Sequence, residues 1–96
     1  MSFRIHLRQR AVTDVQGIKL AHGTVFVTDG LFTARLLKNG ECTLSPITYR
    51  NLEWDLRTEN PNCWEYMSES DIRALKDGAY EKIKALFESC HKKLDV

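Results

Sequence analysis

Cysteine is scarce and badly placed for cross-linking. Cys42, Cys63 and Cys90 are odd in number, far apart and in no C-x-x-C arrangement. That disfavours a disulfide framework or a zinc knuckle, and a reducing, cytoplasmic setting is expected. The three histidines follow no metal-ligand spacing. No apolar run approaches the ~20 residues of a membrane span. The N-terminus alternates where a signal peptide would be continuously apolar, so neither export nor membrane contact is expected. A phosphate-cradling glycine loop and a Ser-centred elbow are both missing. Cys90 and His91 would stand about 100° apart on a helix and not face one another. Cys63 could meet His6 or His22 only by way of the fold. These absences point to a protein that is not an enzyme and carries no metal or cofactor.

What is present suits a single domain over residues 1–96, since 96 residues at 43% hydrophobic content can hold one modest core. In residues 3–10, Phe3, Ile5 and Leu7 alternate with Arg4, His6, Arg8 and Arg10, which reads as a strand with a basic outer row. His22-Gly23, Asp29-Gly30 and Asn39-Gly40 then mark hairpin turns. Two-residue loops at the first two would pair Leu20 with Val25, Ile18 with Val27, Val27 with Phe32 and Val25 with Ala34. At the third, a three-residue loop with a left-handed Gly40 pairs Leu36 with Cys42 and Ala34 with Leu44, keeping apolar against apolar. "LEWDL" (52–56) alternates as a further strand with Leu52, Trp54 and Leu56 inward.

The tail is helical, with Ser68 or Ser70 as N-cap and Glu69 and Asp71 in the first turn. Ile72, Leu75, Ala79, Ile83, Leu86, Phe87, Cys90 and Leu94 share one line at 100° per residue. The phase runs on through Gly78, which predicts one helix of about 25 residues, roughly 38 Å long. The expected fold is α+β: an antiparallel meander of five to six strands with a long C-terminal helix on its apolar face. A protruding apolar helix end would favour a homodimer.

Two surfaces stand out. The sheet's outer face would carry Arg4, His6, Arg8, Arg10, Lys19 and Arg35 around Phe26, the cation-plus-ring composition that grips single-stranded nucleic acid. The plainer alternative is a solvated face, its basic strand neutralised by Glu53 and Asp55 on a neighbouring strand. The second surface is residues 58–69, where Glu59, Glu65 and Glu69 surround Trp64, Tyr66 and Met67. Aromatics and Met in that setting are common where proteins bind one another; alternatively Trp64 and Met67 turn inward to close the core. Charge is also divided along the chain. Residues 1–50 hold 7 Lys/Arg against 3 Asp/Glu, whereas 51–71 holds six acids against Arg57 alone. An acidic, aromatic surface suits a basic partner, and nucleic-acid-handling proteins are basic. The expected function is therefore binding to a larger protein or complex. Size and charge suit a phage- or plasmid-encoded inhibitor of a nucleic-acid-processing complex, of the anti-CRISPR or anti-restriction kind. Direct single-stranded nucleic-acid binding is the alternative.

Overall fold

A computed structural model of the chain describes residues 15–94. The expected strand 3–10, with Arg4, His6, Arg8 and Arg10, lies outside the described residues. Among those described, β1 (Gln16–Leu20), β2 (Val25–Thr28), β3 (Thr33–Leu36) and β4 (Cys42–Leu44) form consecutive hairpins. Helix α1 (Tyr49–Glu59) follows, then β5 (Trp64–Met67), α2 (Glu69–Arg73) and α3 (Ala79–Leu94). All pairings are antiparallel and the strand order is β4-β3-β2-β1-β5. The architecture is α+β, with the C-terminal helix packed on the apolar face of the sheet, as the sequence leads one to expect.

Turn chemistry sets the register. At the third turn Leu36 faces Cys42 and Ala34 faces Leu44, and Gly40 is left-handed with φ 91°, as expected. The first turn departs from expectation. Leu20 N donates to Thr24 O at 2.8 Å and Gly23 N to Leu20 O at 2.9 Å, so Ala21-His22-Gly23 is a three-residue loop. Gly23, φ 102°, takes the same left-handed position as Gly40. Lys19 thus faces Val25, and Ile18 faces Phe26. A slip of one residue exchanges the faces of a strand, and Ile18 and Leu20 leave the Val25–Val27 face for the opposite one. The second turn is longer by two residues, with Val27 opposite Ala34 and Val25 opposite Leu36. Asp29 Oδ1 there accepts the N–H groups of Leu31 (3.0 Å) and Phe32 (2.8 Å). An even shift leaves the faces unchanged.

The sheet is consequently covered on both sides. On one side Val15, Val25, Val27, Ala34 and Leu36 pack against Ile72 of α2 and Ala79, Ile83 and Phe87 of α3. Burying a side chain such as Phe87 or Ile83, both fully enclosed, contributes about 1.5–3 kcal/mol. On the other side, buried Ile18 and Phe26 lie beneath α1, which buries Leu52.

Two expectations about helices are corrected. "LEWDL" is helical, because Leu52 and Leu56 satisfy i, i+4 spacing as well as strand alternation, and Tyr49 extends the stripe by one turn. Thr48 caps that helix, its hydroxyl accepting Asn51 N–H at 3.2 Å. The tail is two helices, α2 and a 16-residue α3, and not one unbroken run. Asp77 (φ 60°) and Gly78 (φ 67°) interrupt it in the left-handed region. The apolar phase survives since Ile72, Leu75 and Ala79 all turn to the same core around the break. Ser68 is the N-cap of α2, in a capping box with Asp71. Among the described residues no helix is long and apolar enough to cross a membrane.

Candidate functional site

The basic outer face does not assemble from the residues described. Phe26, the ring it needed, is 9% exposed and lies under α1. Lys19 aligns with Val25 and Leu36 on one side of the sheet, whereas Arg35 aligns with Phe26 on the other. Thr24, Thr28 and Thr33 are buried as well. Glu53 and Asp55 belong to α1 and not to a strand, so they form no acid–base ladder beside a basic strand.

The 58–69 segment divides. Asn60-Pro61-Asn62 forms the expected turn, with Cys63 N–H donating to Asn60 O at 3.2 Å. Beyond it the chain adds β5 to the edge of β1, pairing Trp64 with Leu20, Glu65 with Lys19, Tyr66 with Ile18 and Met67 with Gly17. Trp64 is half-buried and donates its indole N–H to Leu56 O at 3.1 Å, which ties β5 to α1. Met67 is half-buried against the core. Glu59, Glu65 and Tyr66 face solvent. The inward reading therefore holds for Trp64 and Met67, and the outward one for the other three.

What the fold does present is the outer side of α1. With Leu52 and Leu56 turned to the sheet, Arg50, Trp54 and Arg57 recur at i, i+4 and i+7 on the opposite side. Trp54 is 67% exposed, the barest large hydrophobic residue among those described. It borders a cleft of about 470 Å³ lined by Arg50, Asn51, Glu53 and Arg57. A small network stiffens the floor beside it. Tyr66 Oη donates to Glu53 Oε2 at 2.6 Å, and Arg57 Nη2 donates to Tyr66 Oη. Arg57 also lies 3.9 Å from Glu53 and 5.8 Å from the centre of the Tyr66 ring. Trp64 meets that ring edge-on at 4.9 Å. The hydrogen bond to Tyr66, then the electrostatic pull of the Tyr66 oxygen and the Glu53 carboxylate, hold the Arg57 guanidinium protonated more firmly still. Behind the network Tyr49 Oη reaches Gly17 O at 3.4 Å, and burial, then Glu53 and Tyr66, push its phenol up to about 12.

Trp, Tyr and Arg on a rigid element are the residue types that anchor protein contacts, and Asp55 and Glu59 of the same helix lie exposed. Sequence reasoning turned Trp54 inward; the competing signal was the Arg50–Trp54–Arg57 spacing, which places those residues opposite Leu52 and Leu56 on a helix. Among the described residues the cysteines form no comparable arrangement. Cys63 is exposed and Cys90 half-buried, while the imidazole of His22 stands 3.2 Å from Thr24 Oγ1 and His91 is buried. The arrangement on α1 can grip a surface by packing, stacking and charge. Comparison with protein-family models, with curated proteins and with solved structures returned no match to this chain.

Proposed function

We propose that this protein acts by contact, without chemistry of its own, using the outer side of α1 and the adjoining Tyr66 to occupy a site on a larger protein. The observation that carries this is Trp54, two-thirds exposed on a helix whose other side is fastened to the sheet by Leu52, Tyr49 and the Trp64–Leu56 hydrogen bond. A Trp buries about 150–250 Å² when enclosed. Covering what Trp54 still shows to water is worth roughly 3 kcal/mol at about 25 cal/mol per Å². The exposed carboxylates of Asp55 and Glu59 on the same helix suit a basic partner, and a phosphate-binding groove is such a surface. In its specific form the proposal is an inhibitor of a nucleic-acid-processing complex, of phage or plasmid origin, excluding nucleic acid by steric and electrostatic occupation.

The test is capture of partners on tagged protein, identification by mass spectrometry, and titration of the purified partner against variants. Trp54→Ala should weaken binding at least 30-fold, and Asp55→Lys with Glu59→Lys should weaken it further, with the fold intact by circular dichroism. A partner held equally well by all of these variants removes α1 as the interface. The single-stranded nucleic-acid reading has lost its stacking ring to the core, and what remains of it rests on Arg4, Arg8 and Arg10, outside the described residues.

A further inference from the structure

A second cleft, of about 440 Å³, lies on the other side of the sheet from α1, where the β1–β2 and β3–β4 turns approach the break between α2 and α3. Its floor is apolar: Val25 and Leu36 from the sheet, Leu75 from the link between α2 and α3, and Ala79 from the start of α3. Its rim carries Lys19, Lys38, Lys76 and Lys82, all exposed, against one lining acid, Asp77. Glu65 stands opposite Lys19 in the ladder, yet none of the four ammonium groups is ion-paired with a described residue. Lys82 Nζ reaches Gly40 O at 3.4 Å, leaving donors to spare.

Four like charges around one cleft repel each other, and an anionic occupant relieves that repulsion. The floor selects among anions. It offers no aromatic ring on which a base would stack, and it is an open groove, not the enclosed pocket that takes up most of a small ligand's surface. A floor of Val, Leu and Ala suits a branched or aromatic side chain laid flat.

We infer that this cleft docks an acidic peptide segment of a protein partner, with an apolar side chain seated on Val25, Leu36, Leu75 and Ala79 and flanking carboxylates on the lysines. The site lies on the other side of the sheet from α1 and shares no lining residue with the cleft beside Trp54, so it stands independently of the function proposed above.

The probe is a fluorescein-labelled octapeptide, Asp-Glu-Asp-Leu-Phe-Asp-Glu-Asp, followed by fluorescence polarisation with the full chain. Saturable binding is expected below about 1 mM, weakened at least tenfold by Lys38→Glu with Lys76→Glu. Replacing Leu-Phe by Ser-Ser in the peptide should also weaken it about tenfold. Trp54→Ala should leave it unchanged, which separates failure here from failure of the α1 proposal. The inference is overturned by absent binding, by equal binding of the Ser-Ser peptide, or by indifference to charge reversal. Tighter binding of an oligothymidylate at the same lysines overturns it too, as does a dimer in sedimentation that the same reversal dissolves. Both substituted lysines are exposed, and circular dichroism confirms that the variant is folded.

Discussion

His91 Nε2 and Asp29 Oδ2 lie 2.5 Å apart and are both buried, joining the last turn of α3 to the β2–β3 turn across 62 residues of sequence. Asp29 spends its other oxygen on the Leu31 and Phe32 N–H groups, so one carboxylate closes a turn and fastens a helix. Phe32 meets the His91 ring edge-on at 5.2 Å, and His91 Nδ1 has no polar partner among the described residues.

Asp29→Ala should therefore destabilise the fold by about 3–5 kcal/mol, the cost of breaking a buried polar pair. Asp29→Asn keeps an acceptor for the turn and a donor for the imidazole, and should cost only about 1–2 kcal/mol. Urea unfolding followed by circular dichroism measures both. Equal losses would mean that an amide replaces neither contact of the carboxylate.

Gly17 leaves little room for a side chain. A Cβ there would stand 3.1 Å from Ile72 Cδ1 and 3.2 Å from Met67 Cβ. Gly17→Ala should overpack the contact of β1 with α2 and β5 and cost about 1–3 kcal/mol. An unchanged denaturation midpoint would show that α2 does not press on β1.

Tyr49 makes stability fall in alkali. Its phenol ionises near 10 in the unfolded chain and about 12 in the folded one. Above pH 10 the unfolded state loses this proton first, so the stabilisation is complete below pH 10 and lost as pH rises toward 12. Tyr49→Phe should remove this contribution, leaving a shallower decline across that window. An identical decline in the variant would place its cause elsewhere.

The two tryptophans should behave oppositely. Trp64→Ala removes the hydrogen bond to Leu56 O and the edge contact with Tyr66, and should lower stability by about 2–4 kcal/mol. Trp54→Ala touches an exposed ring and should change stability by less than about 0.5 kcal/mol. Thermal unfolding of both variants decides it.

The meander, the bulged third turn, the Ser68 cap and the apolar stripe of the tail were legible because each rests on local chemistry: a left-handed glycine, a capping hydroxyl, a 3.6-residue period. The first hairpin was not, because apolar matching favours a two-residue loop, whereas the three-residue loop adopted sets Lys19 against Val25 and keeps Ile18 against Phe26, and the choice lay in one glycine's φ. That single residue moved Ile18 to the second face, and with it the need for a second covering helix. Residues 52–56 are too short to distinguish alternation from helical spacing, and a strand there would turn inward the same Trp54 that the helix turns outward. The Asp29–His91 pair was hidden by distance along the chain. Residues 58–69 contain β5, a strand whose four residues are too few to show their alternation against the surrounding loop, and of the residues read there as a contact surface Tyr66, Glu59 and Glu65 are exposed.

The most direct measurement is calorimetric titration of the purified partner into the wild-type protein and into Trp54→Ala. The account predicts an affinity loss of at least 30-fold, about 2 kcal/mol, with unchanged thermal stability. Equal affinities for the two proteins would contradict it.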